Sequence, residues 1–376
     1  MPNLHAPAND GRPRVEFVVS VPLDLLNCMS FTSLAGTSEG LPRPVLELRD
    51  RLDPALREEL DFFMRYPGAE WGLLGALEDV LFLHPEAWQS VDALLDFVRA
   101  MPVEGPDASI EQMLRYAVGQ SHSENARETR DLREAIRASA RAAELDVEAV
   151  TRLFERPEEL RARLMRLIRR FYDEHYRPDE ERRRTIMERA AAARNGQPID
   201  ALEFARAVMH RDEPCLANPA ERYDHLLFLP SIDMGPYMSC AAFPPLHAMI
   251  YPAEPEFLGV PADEWNAERT ALVYKALADE QRLRILRILR GREMYANEIV
   301  AATGLHQSVV SRHLSFLKAV GLVNARRQNN MKFFSLNTGM RRELTQALDA
   351  VLPPEHRDAS APARAPRRER SRAHVE

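Results

Sequence analysis

The chain has 376 residues, 45% of them apolar, and carries 50 basic against 57 acidic side chains for a net charge of −7. That length accommodates two or three domains and that apolar fraction supports a sizeable core, which excludes a disordered or fibrous chain. No stretch approaches the ~20 apolar residues that cross a bilayer. The apolar run from Val15 is broken by Glu16, Asp24 and Asn27, so no secretory leader is expected. The three cysteines, Cys28, Cys215 and Cys240, are scattered without ligand spacing, and a reducing, cytoplasmic location is expected.

In chain order, residues 1–13 are polar and proline-containing and read as a frayed start. Val15 to Val21 alternates as a strand does, and Pro22 opens a helix carrying Leu23, Leu25 and Leu26. Helical patterns follow at 43–64, 70–83, 86–100, 109–119, 123–144 and 146–153. The segment 157–195 is the most strongly helical. It sets Leu160, Leu164, Leu167 and Phe171 on one side and interleaves acids with arginines at i, i+4. Another helix is predicted at 199–209. Then the pattern changes. His225 to Leu229 is a strand-like run ending at Pro230-Ser231, and Tyr237 to Phe243 leads through Pro244-Pro245 to His247–Tyr251. These short runs can pair with one another and with 15–21, forming a small sheet capped by helices. The aromatic and methionine residues Met234, Tyr237, Met238, Phe243, Met249 and Tyr251 read as core or as the lining of an apolar cavity. Three prolines in 252–265 mark an interdomain linker. Residues 353–376, with Arg364, Arg367, Arg368, Arg370 and Arg372 among prolines and alanines, read as a disordered basic tail.

Between linker and tail the chemistry is sharper. Leu283, Leu286 and Leu289, with Ile285 and Ile288 beside them, recur at helical spacing and predict a buried stripe. Asp279 and Glu280 stand where that helix starts and its free N–H groups favour carboxylates. Ile299 and Val300 give the next helix its apolar side. Gly304 ends it, because the turn between two helices needs a positive φ. In the third helix, Gln307 to Ala319, Val310, Leu314 and Leu317 point inward. Gln307, Ser308, Ser311, Arg312 and Ser315 are left on the opposite face. After Gly321, Leu322–Arg327 and Met331–Leu336 form two strands around Gln328, Asn329 and Asn330.

A glycine turn, a polar helix and a basic hairpin in this order are a winged helix-turn-helix, whose third helix enters a major groove of double-stranded DNA. Gln bonds adenine bidentately, Arg reads guanine or grips phosphate, and Ser serves several bases. Arg326, Arg327 and Lys332 on the hairpin hold phosphates or enter the minor groove. Residues 266–340 carry twelve lysines and arginines against five acids, a net +7, so the remainder carries −14. A positive module on an acidic protein localises contact with a polyanion.

These residues resemble the ArsR/SmtB-type winged-helix repressors: KALADEQRLRIL, the Ser-Arg-His-Leu of the recognition helix, then GLVNARRQNNMKFFSL. The resemblance covers about a fifth of the chain. It implies a homodimer, paired through the helix around Val273 to Leu277 and the one near Leu344, Leu348 and Val351. It also implies an effector that alters operator affinity, and it adds His313 to the DNA-facing set. Two departures stand out. Metal-sensing members carry Cys-x-Cys in the helix before the turn, where this chain has Tyr295 and Asn297, so no metal site and no cofactor are expected. His306 stands where the family often has a serine cap; histidine caps poorly, so the helix start shifts to Ser308 or is held by packing. The first part, with VEFVVSVPLDLLNCMSF, FYDEHYRPDEERRRTIMERAAAARNG and HLLFLPS followed by IYPAE, is similar to a domain of undefined activity that precedes such winged helices in some bacterial regulators.

The expectation is therefore a mainly α protein. A large N-terminal α-rich α+β sensor or dimerisation domain (14–252) leads through a linker (253–265) to a winged helix-turn-helix (266–352). Catalysis has no support. Ser231 lacks a Gly-x-Ser-x-Gly elbow, and His175 sits among Asp173, Glu174 and Asp179 on a charged helix. His210, Asp212, Glu213 and Cys215 are too crowded for ligand spacing. The expected function is a DNA-binding transcriptional regulator, a repressor answering a small-molecule effector. The alternatives are a winged-helix protein-interaction module and an enzyme with a DNA-binding appendage.

Overall fold

The computed structural model describes residues 13–68, 71–105, 107–119, 130–197, 199–209, 223–328 and 331–352. The expected frayed start, the turn residues Asn329 and Asn330, the basic tail and the cluster at His210, Asp212, Glu213 and Cys215 lie outside them. Two units are present, one ending at Asn337 and the other beginning at Thr338. The second holds a helix at Met340–Val351. No described helix is long and apolar enough to cross a membrane.

The predicted pairing of distant strands forms. Strands β1 (Arg14–Phe17), β2 (His225–Ser231), β3 (Ser239–Phe243) and β4 (Leu246–Pro252) lie in the order β1-β2-β4-β3. β1 and β4 both run parallel to β2, with Phe17 opposite Phe228 and Leu229 opposite Ile250. β3 returns antiparallel along β4. The central strands β2 and β4 are buried at every residue. That explains why His-Leu-Leu-Phe-Leu reads as a continuous apolar run, as parallel strands covered on both faces do.

Because strand side chains alternate, each face feeds a different core. Leu227, Leu229, Ala248 and Ile250 join a large helical layer. It is built from α1 (Val21–Leu34), α2 (Arg43–Arg51), α3 (Pro54–Arg65), α4 (Gly72–Phe82), α5 (Val91–Ala100), α6 (Ile110–Gly119), α7 (Leu132–Ala142), α8 (Val147–Phe154) and α9 (Pro157–Phe171). On the other face Phe17, Phe228 and Tyr251 meet Phe204 of α11 (Ala201–Met209), with ring centroids 4.9–5.1 Å from the Phe204 ring. Met234 therefore packs in one core and Met249 and Tyr251 in the other. They line no common cavity.

Two helical readings are interrupted. The run 43–64 is two helices, because Asp53 caps a new start by accepting from the Ala55 and Leu56 N–H groups, with Pro54 in its first turn. The segment 157–195 breaks into α9, a π-helical turn at Tyr172–Tyr176, a 3-10 turn at Arg177–Asp179 within which Pro178 removes a donor, and α10 (Glu180–Ala192). The π turn coincides with a buried polar hub. Asp24, on the otherwise apolar α1, accepts from Tyr176 Oη at 2.7 Å, Arg183 Nε at 2.9 Å and Ser231 Oγ at 2.6 Å. Arg183 also donates to Asp233 at 2.5 Å. Helix α1, the insertion in α9–α10 and the end of β2 are thus tied by charge-assisted bonds.

The stretch read as a linker contains the short α12 (Pro255–Leu258) and the start of α13 (Ala262–Leu277). Then follow α14 (Glu280–Ile288), β5 (Met294–Tyr295), α15 (Ala296–Thr303), α16 (Gln307–Ala319), β6 (Val323–Gln328) and β7 (Met331–Leu336). The three strands form a sheet ordered β5-β7-β6. Three helices followed by a hairpin are a winged helix-turn-helix.

Candidate nucleic-acid interface

Asp279 starts α14 as expected, accepting from the Arg282 N–H at 2.8 Å. Burial raises its carboxyl, but the amide and guanidinium of Arg282 hold it below its ordinary value. The buried stripe is rotated from the expected one. Arg282, Ile285 and Leu289 are buried, while Leu283 and Leu286 are half-buried. The cause is Arg282, whose guanidinium lies 4.8 Å above the Phe316 ring of α16 and pairs with Glu39 at 3.1 Å. Gly304 closes α15 in the left-handed region at φ 67°, as the turn requires. Tyr295, at the site of the missing cysteine, packs against Phe333, 6.2 Å away. Among the described residues no group of three or more His, Cys, Asp or Glu side chains could hold a metal ion.

Helix α16 begins at Gln307, with no shift to Ser308, because His306 does cap it. Its Nδ1 accepts from the Ser308 N–H at 3.4 Å and lies 2.8 Å from Ser308 Oγ. Val310, Leu314 and Leu317 are buried as expected, joined by Phe316. Gln307, Ser308, Arg312 and Ser315 are exposed, and Ser311 and His313 half-buried. The proposed base-reading side chains therefore share a polar face over a packed floor. Burial holds the His313 imidazole below its ordinary value, and the charges of Asp279, Arg282, Arg312 and Glu39 all act on it.

On the wing, Lys332 is exposed. Arg326 is paired at the surface with the chain's own Glu293. Its Nε donates to Glu293 at 2.7 Å, its Nη2 bonds the other carboxylate oxygen, and the guanidinium lies 4.7 Å over the Phe333 ring. For Arg327 the structure gives its place on β6. The charge count thus overstates the cations available to phosphate, since Arg282 is buried and Lys275 and Arg326 are paired.

The pairing of Arg282 was not legible in the sequence. Glu39, in the loop before α2, accepts from Arg282 and lies 3.2 Å from Lys275 of α13. The next residue, Gly40, has φ 79°, and a Cβ there would come within 2.9 Å of the Phe316 ring. Only glycine allows that approach without strain. Tyr237, after β2, donates to the Glu39 carbonyl at 2.6 Å. The loop at Glu39 and Gly40 therefore packs against the back of the recognition helix.

Among the described residues, the others singled out in the sequence lie apart from one another. Ser231 is 0% exposed with its hydroxyl donated to Asp24, and His175 is half-buried beside Phe171. Cys28 is buried, and burial pushes its thiol well above the ordinary value. Cys240 is exposed.

The model of bacterial regulatory proteins of the arsR family matches residues 279–325, the stretch from the α14 cap to the wing. The transcriptional activator HlyU of Vibrio cholerae is 36% identical over 75 residues, 20% of this chain and 69% of HlyU. The HTH-type transcriptional regulator KmtR of Mycobacterium tuberculosis is 36% identical over 90 residues, 24% of this chain and 68% of KmtR. The transcriptional repressor SdpR of Bacillus subtilis is 33% identical over 66 residues, 18% of this chain and 73% of SdpR. These three matches have the size of the winged helix and leave the larger domain without a counterpart among them.

Proposed function

This chain belongs to the arsR family of bacterial regulatory proteins, and from that premise we propose that it represses transcription as an operator-bound homodimer whose N-terminal domain answers an effector. It is a DNA-binding transcriptional regulator. The observation that carries the reading is the exposed Gln307-Ser308-Arg312-Ser315 face on a buried platform of Val310, Leu314 and Leu317. Two chains joined in a dimer set their α16 helices about one DNA turn apart, ~34 Å. Apolar surface for such pairing is present on α13, where Tyr274 is exposed, and in the second unit at Leu348 and Leu352. Repression follows when the dimer covers a promoter. The bounds 14–252, 253–265 and 266–352 divide sensor, connection and reader, and the protein works in the cytoplasm without catalysis.

The Glu39 loop supports an effector role for the first domain, because a shift of that loop alters the support of α16. An effector moves operator occupancy only by its differential affinity for the two arrangements. The test is an operator selected from random duplexes by the full chain. Gln307→Ala or Arg312→Ala should lose about 1–3 kcal/mol on that operator and much less on unrelated duplex. Lys332→Ala should weaken both alike and flatten the salt dependence. Equal operator affinity in the α16 variants would refute the groove assignment.

A further inference from the structure

Beside the carboxyl end of β4 lies a cavity of about 430 Å³, within the ~300–1,000 Å³ usual for small-molecule sites. Open sheets with parallel strands bind ligands at this edge. Its apolar wall is Ile199, Phe204 and Val208, and its floor is the chain leaving β4, from Pro252 to Pro255. The wall is anchored by Asn195, whose side chain donates to the Phe17 carbonyl at 2.7 Å and accepts from the Phe17 N–H at 3.0 Å.

Three buried polar atoms here lack a hydrogen-bond partner: Glu254 Oε2, Arg194 Nε and the Tyr251 hydroxyl. Glu254 and Arg194 line the cavity and meet through their other atoms at 3.0 Å. Tyr251 is 0% exposed, stands one residue before the floor, packs its ring 5.1 Å from Phe204, and feels the charges of Glu254 and Arg194. Folded proteins leave few such atoms, and two of these three belong to residues that line the cavity.

We propose that this cavity binds a small organic amine, its ammonium on Glu254 and its apolar body against Phe204. The lining carries Asp200, Glu203 and Glu254 against the single cation Arg194, a field that favours a positive ligand and opposes an anion. An ammonium gives the Glu254 carboxylate, bonded on its other oxygen to Arg194 at 3.0 Å, a second cationic donor. Occupancy would be felt at the reader, because Pro252–Pro255 lead directly into α12 and α13, and α13 carries the Lys275 that meets Glu39. In that respect the proposal rests on the effector reading above.

The test is calorimetric titration of the full chain with phenethylamine and hexylamine, with phenylacetate as the anionic counterpart. Saturable binding of an amine is expected, with none for phenylacetate, and Glu254→Gln should weaken it about tenfold or more. Phe204→Leu should weaken phenethylamine more than hexylamine, and a thermal melt of each variant confirms that it is folded. The site is overturned if the folded parent binds neither amine, if phenylacetate binds equally, or if Glu254→Gln binds as the parent does. Operator affinity is read in parallel. Amine binding that leaves operator affinity unmoved keeps the site and removes the effector reading. Absent amine binding, alongside operator affinity that responds to Glu39→Ala, removes the site alone.

Discussion

Glu78 is carried by α4 into the helical core and is 5% exposed. Its oxygens accept from Ser239 Oγ at 2.6 Å and Asn27 Nδ2 at 3.1 Å. Burial pushes its carboxyl up from the ordinary 4.5 to about 8, so the folded chain holds this proton at neutral pH. Below the ordinary value both folded and unfolded forms are protonated. Between there and about 8 only the unfolded form ionises, so stability falls as pH rises and levels off above. Glu78→Gln should remove that slope and leave the protein roughly 2–5 kcal/mol more stable at alkaline pH. Denaturant midpoints across the window check this, and an unchanged slope would refute it. Arg183 is the opposite case: Arg183→Met strands Asp24 and Asp233, and a loss of about 3–5 kcal/mol is expected in the same measurement.

The recognition helix depends on its first turn. His306→Ala should cost about 1 kcal/mol and His306→Ser should not, as read by thermal melting and operator affinity together. If the alanine variant melts with the parent, the ring is a bystander. This element also shows what the sequence discloses. The turn glycine, the helix face and the hairpin were legible because each is a local pattern within a few residues of its neighbours. The four-stranded sheet was legible in part: β2 and β4 are apolar runs that end at prolines, whereas the strand read at 15–21 ends at Phe17 and Val21 already belongs to α1. The rotated stripe of α14 was not. Its cause is Glu39, 243 residues away from Arg282, and an arginine amid leucines reads as solvated until its partner is known. The histidine cap was misjudged for a similar reason, because rank orders of capping residues ignore the partner that Ser308 supplies.

At the scale of the molecule, the Glu39 loop joins residues early in the chain to α13, α14 and α16. Glu39→Ala should change operator affinity in the full chain by a factor typical of coupled sites, about 5–150-fold. Arg282→Met, which keeps bulk against Phe316 without the charge, should shift it in the same direction. Operator affinity equal to the parent in both would make the loop mere packing. The sheet itself has a different consequence. β1 is complete by Phe17, yet its partner β2 begins at His225. At ~5–20 residues per second, a ribosome needs roughly 10–40 s to deliver the second strand after the first. During that interval the helical core lacks Leu227, Leu229, Ala248 and Ile250 and its apolar surface stays open, so chaperone capture during synthesis should concentrate on the residues before β2, whereas the winged helix closes through short-range contacts soon after it emerges.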